Sequence, residues 1–127
     1  MNVLLVDDDL DCLEALQTMM EVLEHSCTVA EEPRHALELF LRHSFDLVIT
    51  DFRMPFMNGS ELARKMRVAD PAAKIILASG YYPFGEPPHE SLFIAFLEKP
   101  IDIHELKSVL SSVYGHGKEI VDEVFAV

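Results

Sequence analysis

The sequence predicts an α/β fold in which a parallel β-sheet is covered by helices on both faces. Short apolar runs typical of buried strands alternate with longer segments whose apolar residues recur every three or four positions. The 127 residues, half of them hydrophobic, suit one domain with its own core, and no internal repeat or low-complexity linker divides them. Strands separated by helices of this length form right-handed βαβ units, which produce a parallel sheet.

Five strands and four helices follow from this pattern. The strands are expected at residues 3–6, 27–30, 47–50, 74–78 and 95–97. The helices are expected after Asp9, from Pro33, over 59–68, and from near Asp102 to Gly115. Each helix would turn a stripe of apolar residues inward. In chain order, these stripes are Leu13, Leu16, Met20 and Leu23 in the first helix; Ala36, Leu37, Phe40 and Leu41 in the second; Leu62, Ala63 and Met66 in the third; and Leu106, Val109, Leu110 and Val113 in the last. Asp11 with Glu14, and Asp102 with Glu105, have the spacing of capping boxes.

The segment 81–92 breaks the alternation, because it contains Pro83, Pro87, Pro88 and Gly85. A proline inside a helix costs roughly 3 kcal/mol through a lost hydrogen bond and a steric clash. The helix expected between the fourth and fifth strands should therefore be short or missing. Tyr81, Tyr82 and Phe84 would then be packed under a loop or exposed as a partner surface.

Composition excludes several classes of function. The formal charge is −12, which argues against direct nucleic-acid binding because phosphate contacts need clustered Lys and Arg. No apolar run approaches the roughly 20 residues of a membrane helix, and the start lacks the basic flank of a signal peptide. We therefore expect a cytoplasmic protein without a membrane partner. Cys12 and Cys27 lack metal-ligand spacing and are expected to be buried or half-buried thiols.

Acidic residues follow two of the predicted strands. Asp7 and Asp8 come after the first strand and Asp51 after the third. The carboxyl ends of parallel strands meet at one edge, so these three carboxylates are expected to lie together. At about 4 Å and an effective dielectric near 20, each pair would repel by about 4 kcal/mol, which a bound cation relieves. Oxygen ligands without His or Cys favour Mg²⁺ completed by water.

Ser79 and Lys99 follow the fourth and fifth strands, so a hydroxyl and an ammonium group join this edge. A nucleophilic carboxylate beside a metal, a hydroxyl and a fixed lysine meets the needs of phosphoryl transfer. Each residue alone has a simpler interpretation: an Asp after a strand is often a helix cap, as Asp9 or Asp11 would be here, Ser79 a turn residue and Lys99 a surface charge. Their joint occurrence favours a site.

These motifs resemble the receiver domain of bacterial two-component response regulators, the CheY-like family. The resemblance rests on Val6-Asp7-Asp8-Asp9, Asp51 with Met54-Pro55 and Asn58-Gly59, Ala78-Ser79-Gly80, and Glu98-Lys99-Pro100. It covers residues 1–115 and leaves 116–127 as a tail or the start of a linker. It implies a flavodoxin-like three-layer sandwich with strand order 2-1-3-4-5.

The resemblance also implies the role of each site residue. Asp51 would be the phosphoacceptor, Asp8 a direct Mg²⁺ ligand, Asp7 a ligand largely through water, and the main-chain carbonyl of Arg53 a further ligand. Ser79 and Lys99 would bind phosphoryl oxygens, with Lys99-Pro100 as a cis peptide.

Three further positions concern the switch and the lifetime of the phosphoryl group. Phe96 falls at the switch aromatic position. Arg53 and Tyr81 flank the approach of a hydrolytic water, and neither is suited to orient it, so the phosphoryl group should be long-lived.

The implied function is a phosphorylation-switched receiver that takes its phosphoryl group from a histidine kinase or a histidine phosphotransfer domain. Such a domain phosphorylates itself and slowly dephosphorylates, but it is not a turnover enzyme. Its output partner is not visible in the sequence, although the residues after Ser79 resemble receivers fused to hybrid histidine kinases.

Two alternatives remain open at this point. One is a haloacid-dehalogenase-like phosphatase with Asp7 as nucleophile, which would leave Asp51 without a role. The other is a receiver that is never phosphorylated and serves only as a docking module.

Overall fold

The computed structural model describes residues 1–80 and 92–114, which form one five-stranded parallel sheet. The strands are β1 (Asn2–Val6), β2 (Ser26–Ala30), β3 (Leu47–Thr50), β4 (Ile75–Ser79) and β5 (Ala95–Glu98). Their order across the sheet is β2-β1-β3-β4-β5, and all pairings are parallel. The predicted fold class and strand order are confirmed, and no strand end is shifted by more than one residue.

Four helices cover the sheet within the described residues: α1 (Leu10–Val22), α2 (Pro33–Arg42), α3 (Gly59–Ala69) and α4 (Ile103–Val113). Residues of α1 and α4 share one apolar cluster with one face of the sheet, and residues of α2 and α3 share another with the opposite face. The result is the predicted three-layer sandwich. None of these helices is long and apolar enough to cross a membrane.

Two predictions lie outside the described residues. The segment in which a fourth helix should be short or missing falls on residues 81–91, apart from its last residue. The tail, residues 116–127, also falls outside, so both stay predictions.

The central strands are buried because each is covered on both sides. β3 and β4 contain only buried residues, as their continuous apolar runs predict. Val6 of β1 pairs with Thr50 of β3, and Ser79 of β4 pairs with Glu98 of β5. This register brings the carboxyl ends of neighbouring strands to one level, which positions the residues that follow them.

The helices begin where the sequence predicts, but the capping interactions differ from the prediction. α1 begins at Leu10, and its N-cap Asp9 accepts hydrogen bonds from the backbone N–H groups of Asp11 (3.0 Å) and Cys12 (3.4 Å). The predicted capping box of Asp11 with Glu14 is therefore wrong, since Asp11 already lies inside the helix.

The N-caps of α3 and α4 also differ from the prediction. Asp102 occupies the N-cap position of α4, but its side chain makes no capping hydrogen bond, so the second predicted box is not formed. A capping box occurs instead at α3, where Asn58 Oδ1 accepts from the Glu61 N–H at 2.9 Å and Glu61 reaches back to the Asn58 N–H at 3.4 Å.

The predicted core stripes are otherwise confirmed, with Leu41 as the exception. Leu13, Leu16 and Met20 of α1 and Leu62, Ala63 and Met66 of α3 are buried. Leu41 was expected to face inward but is 61% exposed. It lies about 100° around the helix from Phe40 in the last turn of α2, beside the stripe rather than within it.

Candidate functional site at the carboxyl edge of the sheet

Three carboxylates meet where β1 and β3 end. Asp7 follows β1 and Asp51 follows β3, and the Asp51 N–H donates to the Val6 carbonyl at 2.9 Å, which holds the two ends together. One oxygen from each of Asp7, Asp8 and Asp51 lies within 4.8 Å of the others. Asp7 and Asp51 are buried, whereas Asp8 is exposed. The structure thus brings together the acidic cluster predicted from the sequence.

Lys99 joins this cluster from β5. Its Nζ lies 2.6 Å from Asp7 Oδ2 and 3.4 Å from Asp51 Oδ1. The backbone N–H of Lys99 donates to the Ser79 carbonyl at 3.2 Å, and the Lys99–Pro100 peptide is cis, as the resemblance implied. The ammonium group is therefore fixed between carboxylates from two different strands.

The electrostatics of the cluster follow from burial and crowding. Burial, and then the negative charge of Asp7, raise the pKa of Asp51 above its ordinary value, and Lys99 offsets this in part. Burial opposes the charged form of Lys99, but its hydrogen bond to Asp7 and the charges of Asp51 and Asp7 outweigh this and raise its pKa. The one positive charge of Lys99 is fewer than the three negative charges of Asp7, Asp8 and Asp51, so further positive charge would stabilise the site.

The donor set fits Mg²⁺. Carboxylate oxygens this close together suit one octahedral ion whose direct ligands lie about 2.0–2.1 Å away, with water in the remaining positions and between the ion and any carboxylate too distant to bind it directly. Asp8 also lines a cleft with Arg53, Met54, Pro55 and Asn58, so the exposed side of the cluster opens between the β1–α1 and β3–α3 loops. Of the predicted metal residues, Asp8 and Arg53 line this opening, and Asp7 and Asp51 lie in the buried part of the acidic cluster.

The remaining predicted residues are placed as follows. Ser79 ends β4 and is 2% exposed, and Phe96 lies in β5 with 37% of its surface exposed. The Phe96 ring packs on Phe93, with 5.9 Å between ring centroids. Arg53 is exposed in the loop after β3, and Tyr81 lies outside the described residues.

Two features of the site were not predicted. Asp9, which caps α1, also donates its backbone N–H to Asp7 Oδ1 at 2.9 Å, so the β1–α1 loop orients the Asp7 carboxylate. Gly59 lets α3 start directly against the acidic residue, since a Cβ there would lie 2.4 Å from the Asp51 carbonyl oxygen. The sequence predicted a helix from Gly59, but this close approach depends on the tertiary packing.

Comparison with known proteins points to one family. The family model described as "Response regulator receiver domain" matches residues 3–111. The transcriptional regulatory protein ZraR of Escherichia coli (strain K12) is 30% identical over 129 residues, which cover 99% of this chain and 29% of that protein. The chain therefore spans less than a third of the length of this relative.

Solved structures agree with this match. The response regulator protein TrrA from Thermotoga maritima, in complex with Mg²⁺–BeF, superposes with a TM-score of 0.79 at 29% identity, covering 86% of this chain and 95% of that one. The receiver domain from the hybrid histidine kinase CckA superposes with a TM-score of 0.73 at 26% identity, covering 87% and 95%. The chain belongs to the family of response regulator receiver domains.

Proposed function

We propose that this receiver domain accepts a phosphoryl group on Asp51, with Mg²⁺, from a histidine kinase or a histidine phosphotransfer protein, and that phosphorylation changes its partner surface. The observation that carries the proposal is the position of Lys99, whose ammonium group lies between Asp7 and Asp51 beside the exposed Asp8. This is the arrangement that a phosphoryl group, with three charged oxygens, would need around it.

Asp51 is better suited than Asp7 to be the nucleophile. Both oxygens of Asp7 hold close hydrogen bonds, one from the Asp9 N–H at 2.9 Å and one from Lys99 Nζ at 2.6 Å. Asp51 also accepts a backbone hydrogen bond from Phe52, but it lies farther from Lys99, at 3.4 Å. Asp7 is therefore held as an orienting group, and this disfavours the phosphatase in which Asp7 would attack.

In the transfer step, an Asp51 carboxylate oxygen attacks the phosphorus atom of a phosphohistidine. The new O–P bond forms as the P–N bond breaks, and the electron pair of that bond returns to the imidazole nitrogen. Asp7, Asp8, Asp51 and the Arg53 carbonyl would hold Mg²⁺, which would neutralise charge on the transferring group. Lys99 would turn from Asp51 to a phosphoryl oxygen, and the Ser79 hydroxyl would donate to another.

The cellular setting is also a proposal. The acidic surface of the chain argues for protein partners rather than nucleic acid, and we place the domain in the cytoplasm with its donor. The likeness to the CckA receiver supports the interpretation that receivers of this type occur within hybrid histidine kinases as well as in regulators such as ZraR. The domain would act as a switch with slow self-dephosphorylation, not as a turnover enzyme.

The experiment that tests the acceptor is incubation with acetyl phosphate and Mg²⁺, followed by intact mass measurement. We expect one acid-labile phosphoryl group per chain, dependent on Mg²⁺ and absent from Asp51→Asn. Beryllofluoride with Mg²⁺ should raise the melting temperature beyond Mg²⁺ alone, and only in the wild type. A phosphoryl group retained by Asp51→Asn, or found on Asp7, would show that the acceptor is wrongly assigned.

A further inference from the structure

The helices on the two faces of the sheet differ sharply in charge. α2 and α3 carry five cationic and two anionic side chains, a formal charge of +3, in a chain whose formal charge is −12. α1 carries three carboxylates and no cation, a formal charge of −3. The α2–α3 face is therefore a basic surface on an acidic protein, and it attracts negatively charged groups.

Exposed apolar side chains lie on the same face. Leu41 in the last turn of α2 is 61% exposed, and Val68 in the last turn of α3 is 86% exposed. The two helices are neighbours and both return to the start of a parallel strand, so their last turns lie at the same end of the molecule. Leu41, Arg42, Lys65 and Val68 define what we call the α2–α3 end patch, which is both apolar and basic.

The described part of the chain ends at this end of the molecule. The Tyr114 hydroxyl donates to the Asp46 carbonyl at 2.7 Å, in the connection that follows α2. The ammonium group of Lys74 lies 4.9 Å from the centroid of the Tyr114 ring, in the connection that follows α3. The chain therefore leaves α4 next to the two loops that lead out of the end patch.

The sequence beyond this point has the opposite charge. Residues 115–127 lie outside the described residues, and within them Glu119, Asp122 and Glu123 are interleaved with Ile120, Val121, Val124 and Phe125. In a helix, at 100° per residue, the apolar side chains of this sequence would fall on one side and the three carboxylates on the other. Such a segment offers an apolar stripe flanked by negative charge, which complements the end patch.

We propose that residues 119–125 dock on the α2–α3 end patch of the same chain. Ile120, Val121, Val124 and Phe125 would cover Leu41 and Val68, and the acidic residues would face Arg42 and Lys65. The four residues 115–118 can span about 13 Å when extended, and Arg42 is only four residues before the Asp46 carbonyl to which Tyr114 is bonded. Neither the phosphoacceptor nor the metal enters this proposal, so it stands or falls separately from the proposed function.

Zero-length carbodiimide crosslinking of the full chain, read by peptide mass spectrometry, tests the contact directly. We expect an intramolecular crosslink between Lys65 and Asp122 or Glu123. Lys65→Arg keeps the charge but removes the primary amine, so it should abolish that crosslink while leaving the tail docked. Tail crosslinks to Lys107 of α4 in place of Lys65 would overturn the proposal, and so would crosslinked dimers that increase with protein concentration.

Amide NMR spectra of the full chain provide the second measurement. Replacing Glu119, Asp122 and Glu123 by Lys should shift the amide signals of Leu41, Arg42 and Val68. Arg42→Glu with Lys65→Glu should produce the same undocking, and combining it with the lysine tail should restore docking through the reversed charges. Lys107→Glu is the matched control and should leave the tail signals unchanged. Shifts confined to residues 110–114, with no rescue by charge reversal, would show that the tail does not use this face.

Discussion

Lys99 and Asp7 lie 92 positions apart in the sequence, yet Lys99 Nζ lies 2.6 Å from Asp7 Oδ2. Both side chains are largely removed from water, with relative exposures of 19% and 9%. The same ammonium group is 3.4 Å from Asp51. A single cation thus holds together the carboxylates that follow β1 and β3, and the site depends on it electrostatically.

Removing this cation should destabilise the metal-free protein. Lys99→Met keeps most of the apolar stem but leaves Asp7 and Asp51 facing each other, so we expect a loss of roughly 1–3 kcal/mol at pH 7, measured by urea unfolding in a chelator. Added Mg²⁺ should recover more stability in the variant than in the wild type, because it neutralises the carboxylates left unpaired. Lys107→Met on α4 is the control. Equal stability of the two variants would contradict the central role of Lys99.

The raised pKa of Asp51 predicts a definite pH dependence. Because the folded state holds this proton more tightly than the unfolded state, protonation of Asp51 stabilises the fold. This contribution is fully present below the unfolded pKa near 3.8 and is lost as the pH rises through the higher folded pKa. At pH 7 the ionised Asp51 therefore costs stability.

Asp51→Asn should relieve that cost. We expect the variant to be more stable than the wild type at pH 7 without Mg²⁺ by about 1 kcal/mol, which corresponds to a few degrees in melting temperature. The difference should narrow as the pH is lowered toward 4. Asp8→Asn, at the exposed member of the cluster, should show a smaller gain. If the stability advantage of Asp51→Asn over the wild type instead grew as the pH was lowered, the predicted pH dependence would have the wrong sign.

The sequence predicted the acidic site well because the rule behind it is local. A strand ends where its apolar run ends, so Asp7 and Asp51 could be placed at one edge once the sheet was taken as parallel. This rule did not identify the N-cap of α1, since Asp9 and Asp11 both fit the pattern of an N-cap residue. The hydrogen bond from the Asp9 N–H to Asp7 depends on the path of the β1–α1 loop, and no local sequence pattern predicts that path.

Other features depended on tertiary packing. Leu41 has the residue type and nearly the spacing of a core position, and only the absence of a covering element in the described structure leaves it exposed. The close approach of Gly59 to Asp51 depends on how α3 packs against the end of β3. Neither the exposure of Leu41 nor the approach of Gly59 to Asp51 could be predicted from the pattern of apolar residues.

Phe96 should report the switch. Phosphorylation of Asp51 is expected to draw Ser79 toward the phosphoryl group and to free space for Phe96 to turn inward from its 37% exposed position. Beryllofluoride with Mg²⁺ should therefore shift the Phe96 ring signals in NMR spectra. Ser79→Ala should still accept a phosphoryl group but lose that response, while the ring signals of Phe45, beside the opposite ends of the strands, serve as control. Unchanged Phe96 signals in the wild type would argue against the coupling.

Arg53 and Tyr81 should set the lifetime of the phosphoryl group. Arg53 is exposed two residues after Asp51, and neither it nor Tyr81, which lies outside the described residues, is suited to orient a hydrolytic water. Arg53→Asn with Tyr81→Glu introduces a carboxamide and a carboxylate that can do so, and we expect dephosphorylation to accelerate roughly tenfold or more. Intact mass after removal of acetyl phosphate follows the decay. Arg42→Asn in the last turn of α2, at the opposite ends of the strands, should have no effect, and an unaltered decay rate in the double variant would refute the assignment.

Phe56 is strained as well as exposed, and this gives the last prediction. It has a φ of 73°, in the left-handed region, and 79% of its surface is accessible. The guanidinium carbon of Arg34 lies 5.0 Å from the centroid of its ring, an exposed contact worth about 0.5–1 kcal/mol. Left-handed backbone costs a residue with a Cβ about 1–2 kcal/mol, a cost that glycine avoids.

Comparing two substitutions at Phe56 isolates this backbone term, because Phe56→Ala and Phe56→Gly both remove the ring and its contact with Arg34. At ordinary positions alanine is the more stable of the two, but here glycine should be more stable by about 1 kcal/mol in urea unfolding. Lys65 is the matched control: it is exposed in the middle of the regular helix α3, where the Lys65→Ala protein should be more stable than the Lys65→Gly protein by about 1 kcal/mol. If the alanine variant were more stable than the glycine variant at both positions, residue 56 would not hold the left-handed conformation in solution.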